Sequence, residues 1–144
     1  MTDRTATARW TGDLATGSGR VSLDSSGVGE FDVSWPARTE EPNGVTSPEE
    51  LIAAAHSSCY CMQFSALLTR AGFPPERIET SAKVGFGRSG GGYAITGVVL
   101  TVRATVPGID ADKFAEVAEL AKQTCPVSAA LTGTTIELDA ALAS

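Results

Sequence analysis

Positive charge is scarce in this sequence: eleven Lys and Arg stand against seventeen Asp and Glu in 144 residues, a net charge of −6 with a pI near 4.7. A field that attracts phosphate backbones is missing, which argues against nucleic acid as a partner. Cysteine is equally sparse. The odd count of three, Cys59, Cys61 and Cys125, speaks against a disulfide scaffold. The densest apolar stretch, around Leu51 to Ala55, is far short of the ~20 residues that span a bilayer. Met1 to Trp10 carries no apolar h-region followed by a small-residue cleavage site. P-loop, zinc-protease and nucleophile-elbow motifs are missing as well. These absences predict a soluble, cytoplasmic protein with neither membrane nor nucleic acid as a partner. In a reducing compartment its cysteines serve packing, redox chemistry or metal binding.

The length suits one domain, 1–144, and 42% apolar residues suffice for a core without staples. The first third is rich in Thr, Ser, Gly and β-branched residues and reads as an antiparallel meander, with strands near Gly19 to Leu23 and Glu30 to Trp35. Pro36 to Ser47 reads as an exposed loop. Ser47-Pro48-Glu49-Glu50 then starts a helix, with Ser47 as N-cap, Pro48 at the first position and Glu50 completing a capping box. That assignment leaves the Glu49 carboxylate free. Gly72 and Pro74-Pro75 stop the helix after about Arg70. Its apolar and small residues lie nearly all round, as in a helix enclosed on most sides, and a small domain would need a partner subunit to do that.

Ile78 to Phe86 and Tyr93 to Val106 read as a hairpin joined by Gly87 to Gly92. Gly85 to Gly90 also matches GxGxxG, but a strand follows where a dinucleotide site needs a helix, so the hairpin reading stands. A second helix, capped by Asp110, carries Phe114, Val117, Ala118 and Ala121 on one stripe that Cys125 extends until Pro126 interrupts. Thr134 to Leu138 closes the chain as a strand. The order is α+β, without repeated βαβ units.

Cys59 lies mid-helix on a stripe with Ile52, Ala55, Met62 and Ala66, where the blandest role is packing. Cys125 sits at a helix junction, placed like the N-cap of the next turn, where a thiolate can be favoured. Two cysteines on the inner stripes of two core helices either pack or meet as a redox pair, and spacing alone leaves both open. His56 shares a helix face with Cys59 and reads as a packed or hydrogen-bonded structural histidine, with modulation of the Cys59 thiol as the alternative. One His and three Cys would just make a zinc set. Cys59 and Cys61, two apart on a helix and roughly 200° around its axis, cannot grip one ion together.

From Gly44-Val45-Thr46-Ser47-Pro48-Glu49-Glu50 through His56-Ser57-Ser58-Cys59, and again at Cys125-Pro126-Val127-Ser128, the sequence strongly resembles the osmotically inducible protein C and organic hydroperoxide resistance family (OsmC/Ohr). Ala8 to Asp13, Gly17 to Arg20 and Val106 to Asp110 resemble its osmotically inducible branch. The resemblance implies an OsmC-like α+β fold, antiparallel sheets around two long central helices in an intertwined homodimer. It also implies a cysteine-based peroxidase acting on organic hydroperoxides, and less well on hydrogen peroxide, with no cofactor. An external dithiol such as a lipoyl group or thioredoxin would serve as reductant.

Carried over, Cys59 matches the peroxidatic cysteine and Cys125 the resolving one, while Glu49 and Arg38 match the family's glutamate and arginine. Arg20 resembles the arginine of the other branch. Cys61 is outside the pattern and is expected to pack, pointing away from Cys59. Glu49 and Cys59, ten helical residues or about 15 Å apart along the axis, cannot meet within one unbroken helix. If they serve one site, Glu49 and Arg38 reach the other subunit's cysteine. The rival readings are a thiol redox sensor or small-ligand binding protein on the same fold, and a purely structural role for the dimer.

Overall fold

The first strands take up the period-2 alternation that places opposite kinds of side chain on opposite faces. In the computed structural model, which describes residues 1–143, β1 (Thr7–Thr11), β2 (Ser18–Ser22) and β3 (Glu30–Val33) form an antiparallel sheet in that order. Register sets Ala8 against Val21 and Phe31, and Trp10 against Gly19 and Val33, so one face is wholly apolar. The other carries Arg9, Arg20, Asp32 and their polar neighbours.

The stretch expected to be loop forms a short helix instead, α1 (Trp35–Thr39), started by Ser34, whose hydroxyl accepts from the Ala37 N–H at 3.2 Å. Trp35 therefore opens α1 and does not end a strand. The chain returns to β3 through a bridge between Val33 and Thr46 and enters α2 (Pro48–Arg70).

Ser47 caps α2 by accepting from the Glu50 N–H at 3.2 Å, but the box is only half closed: the Glu50 carboxylate takes the Thr46 hydroxyl and not the Ser47 N–H. At the far end Gly72, at φ 94°, makes the left-handed turn of a Schellman motif. The Phe73 N–H reaches the Leu68 carbonyl at 2.8 Å, and the Gly72 N–H reaches the Thr69 carbonyl at 3.0 Å. A 23-residue helix whose most apolar window has mean hydropathy 1.2 could cross a bilayer by length and composition alone, which counting unbroken apolar runs overlooked. The buried stripe of α2 is His56, Tyr60, Phe64 and Leu68, while Ala55, Met62 and Ala66 are exposed, so the chain alone does not enclose the helix on most sides.

The chain divides into two compact units, Met1–Leu51 and Ile52 onward. The second holds β4 (Arg77–Ser89), β5 (Gly92–Thr105), α3 (Ala111–Thr124), α4 (Pro126–Ala130) and β6 (Ile136–Leu142). β4 and β5 pair as an antiparallel hairpin. The turn is tighter than the six-residue loop expected: Gly90 and Gly91, both at positive φ, connect Ser89 to Gly92. β6 runs parallel to β5, so this sheet is mixed where an antiparallel one was expected. Asp110 caps α3 through the Lys113 N–H at 2.7 Å, and Phe114, Val117, Ala118 and Ala121 are buried as their spacing predicted. They close with Tyr60, Phe64 and Leu68 over Val98, Leu100, Val102 and Ala104 of β5. Phe64 meets Phe114 edge-on, with ring centroids 5.4 Å apart.

Candidate functional site

Two clusters gather the residues that carry chemistry, one in each unit. In the second unit, α3 ends at Cys125, whose N–H still reaches the Ala121 carbonyl at 2.9 Å, and Pro126 forces a new start as α4. Cys125 occupies the N-cap position of α4 by backbone, but its side chain caps nothing. The sulfur points at Cys59 on α2, with Sγ to Sγ at 3.1 Å. A disulfide is about 2.05 Å long, so this is a contact between two thiols, Cys125 buried and Cys59 partly exposed. The two cysteines meet, which is the contact a redox pair requires and which packing of two thiols also makes.

Burial pushes the Cys59 thiol up from its ordinary value, and the neighbouring Cys125 sulfur adds to that; a hydrogen bond from the Val127 N–H pulls the other way. Within one chain the thiolate is disfavoured.

His56 is fully buried, and its Nε2 lies 2.7 Å from Ser128 Oγ. Its pKa is lowered by burial, which keeps the ring neutral. Tyr60, one turn along, donates to the Ala118 carbonyl at 2.9 Å. Ser128 stands in the Cys125-Pro126-Val127-Ser128 motif, yet nothing in the sequence singled it out as the partner of a histidine 72 residues away. Cys61 turns to β4, where its Sγ lies 3.1 Å from Thr80 Oγ1.

In the first unit, α1 places Arg38 in its last turn and α2 places Glu49 in its first, where the helix dipole favours a carboxylate. The two form a forked ion pair. Arg38 Nε donates to the Glu49 oxygens at 2.9 and 3.2 Å, and Nη2 lies 2.8 Å from Oε1. Glu49 is buried, so its carboxylate is not free, as the capping argument had it, but is held by the guanidinium. Arg38 also lines an apolar cavity of about 330 Å³ with Trp10, Leu14, Val33, Trp35 and Pro48. Arg20, the other candidate arginine, lies on the polar face of the sheet, paired with Glu30 at 3.1 Å and Asp32 at 2.8 Å. α2 is unbroken between Glu49 and Cys59, so the ten-residue helical separation stands.

Known proteins resemble this chain in sequence and fold. The family model described as OsmC-like protein matches residues 41–139. The chain is 42% identical over 124 residues, 86% of each chain, to Peroxiredoxin OsmC of Escherichia coli (strain K12). It is 32% identical over 89 residues, 61% of each chain, to the organic hydroperoxide resistance protein of Xanthomonas axonopodis pv. citri. Among solved structures, the organic hydroperoxide resistance protein OhrB of Bacillus subtilis is similar with a TM-score of 0.76 and 26% identity, over 95% of this chain and 98% of that one.

Proposed function

This chain belongs to the OsmC-like protein family and has its α+β fold, and from that premise we propose that it is a thiol-dependent peroxidase reducing organic hydroperoxides to alcohols. The observation that carries the reading is the 3.1 Å contact between two reduced sulfurs 66 residues apart in sequence. The Cys59 thiolate attacks the distal peroxide oxygen and takes it up, while the alkoxide leaves and is protonated to the alcohol. The resulting sulfenic acid is attacked by Cys125; an S–S bond forms, the S–O bond breaks, and hydroxide leaves as water with the proton from Cys125. An external dithiol then reduces the disulfide and is itself oxidised.

Because burial raises the Cys59 pKa, the site needs a cation. A guanidinium at ~4 Å with an effective dielectric near 20 supplies roughly 4 kcal/mol before desolvation is subtracted. Arg38 is the proposed source, with Glu49 holding it in place. Since Glu49 cannot reach Cys59 along its own helix, the pair serves Cys59 of the partner subunit in a homodimer. The exposed apolar sheet face around Trp10 and Phe31 and the exposed α2 positions Ala55, Met62 and Ala66 favour such an assembly.

The test is consumption of cumene and tert-butyl hydroperoxides against hydrogen peroxide, with excess dihydrolipoamide, for wild type, Cys59→Ser and Cys125→Ser. Fast organic-peroxide turnover, abolished by Cys59→Ser and stalled at a sulfenic acid by Cys125→Ser, is the expected result. The redox-sensor reading draws on the raised Cys59 pKa alone, and slow reaction of the wild type with every peroxide would favour it.

A further inference from the structure

His56 and Ser128 have no part in the chemistry just described, yet they lie beside it. His56 precedes Cys59 by three residues on α2, and Ser128 follows Cys125 by three. His56 pairs with Ser128 and Cys59 with Cys125, so the two segments run antiparallel and are joined by two rungs one helical turn apart. His56 and Cys125 are 0% exposed and Ser128 4%, which leaves no water to compete for the polar rung.

The rung is built at a cost. Among the described residues, His56 Nδ1 is buried without a hydrogen-bond partner. An orphaned N–H is dearer than an orphaned lone pair, which puts the ring proton on Nε2 and makes His56 the donor to Ser128 Oγ. An apolar pair would pack here without that orphan. What it lacks is direction: it would let the Cys125 segment slide along α2, whereas a 2.7 Å hydrogen bond fixes one register.

Register matters most after Cys59 has been oxidised. To form the disulfide the sulfurs close from 3.1 Å to about 2.05 Å, a movement of about 1 Å that asks for no unfolding of α4. The competing fate is a second peroxide, which transfers another oxygen to the sulfenic sulfur, releases a second alcohol and leaves an irreversible sulfinic acid. We propose that His56 and Ser128 are positioning residues for the resolving step, holding Cys125 against Cys59 so that disulfide closure outruns this over-oxidation. The proposal rests on the peroxidase reading above and assigns these two residues a task within it.

The experiment compares wild type, Ser128→Ala, Ser128→Thr and His56→Gln in the full chain. Quenched-flow mass spectrometry with cumene hydroperoxide follows three species: sulfenic acid, disulfide and sulfinic acid. Loss of one hydrogen bond is expected to slow closure about tenfold in Ser128→Ala, with a matching rise in sulfinic acid at high peroxide and an unchanged rate of first oxidation. Ser128→Thr, which keeps the hydroxyl, restores both. A defect of packing alone would lower thermal stability without moving the disulfide-to-sulfinic ratio, and that result overturns the proposal, as does a first step slowed in proportion. His56→Gln repeats the measurement from the other side of the rung. Closure driven by diamide needs no peroxide. If the wild type fails to consume hydroperoxide, the peroxidase reading falls, while slower diamide closure in Ser128→Ala still upholds the rung and equal closure sinks it.

Discussion

The apolar side of β5 is roofed by helices of its own unit, with Val98, Leu100 and Val102 at most 1% exposed, whereas the apolar side of the β1–β3 sheet leaves Trp10 44% and Phe31 41% exposed. Both sheets follow the same alternation. The difference is what the chain supplies to cover them: α2 and α3 bring Tyr60, Phe64, Phe114 and Val117 to the second sheet, and the first unit has the five-residue α1 and the first turn of α2. The sulfur pair therefore sits beside a finished core, Cys125 buried and Cys59 partly exposed. The Arg38–Glu49 pair sits in a unit that still presents apolar surface, which is where an assembling partner gains most.

Deleting side chains from the finished core is expected to have the largest effect. Leu68→Ala removes a fully buried side chain and is expected to cost about 3 kcal/mol in urea unfolding. A loss below about 1 kcal/mol would mean that the core is not as closed as the geometry has it. Next in size is Arg38→Gln, expected to lower the rate of peroxide attack about 100-fold and to move the Cys59 thiolate absorbance to higher pH, since the cation opposing burial is gone. An unchanged titration would detach Arg38 from the cysteine.

The open sheet answers differently. Phe31→Ser is expected to weaken self-association about tenfold in sedimentation equilibrium while leaving the urea midpoint of dilute protein nearly unchanged. A large loss of monomer stability with association intact would reverse the contrast between the units.

The smallest effect concerns pH. His56 binds its proton less readily when folded than the ordinary 6.5, so below about that pH the unfolded chain holds more protons and stability falls as pH drops. The slope is at most about 1.4 kcal/mol per pH unit and ends once the folded ring is protonated too. Asp13 and Glu30, whose pKa values are lowered, titrate below this window. Urea midpoints between pH 7 and 5 should decline in wild type and stay flatter in His56→Gln.

Where local chemistry decides, the sequence was readable. The Ser47 cap, the Gly72 stop, the Asp110 cap and the α3 stripe each depend on residues within a few positions of one another. α1 escaped because five residues are too few to show a helical period. The stripe that α2 buries escaped for the opposite reason: small and apolar residues surround the axis, and only the partners of His56 and Tyr60 across the fold choose the face. The parallel pairing of β6 is equally silent in a period-2 pattern, which fixes a face but no direction. At the site, resemblance pointed to the cysteines and to Arg38 with Glu49, but Ser128 needed the fold to bring it to His56.

The two-glycine turn between β4 and β5 bears on how the molecule comes to exist at all. A tight turn lets Ser89 meet Gly92 at once, and each later rung of the hairpin closes only a slightly larger loop. β6 must find Val98 from Ile136, across the whole of α3 and α4, before its first parallel rung forms. Contacts that close short loops form early and those that close long ones form late. Loop-closure entropy therefore favours the hairpin over the β5–β6 pairing as the earlier of the two to form. Cys125 and Cys59, 66 residues apart, close a longer loop still, so the same entropy that favours the hairpin weighs against early formation of the sulfur contact.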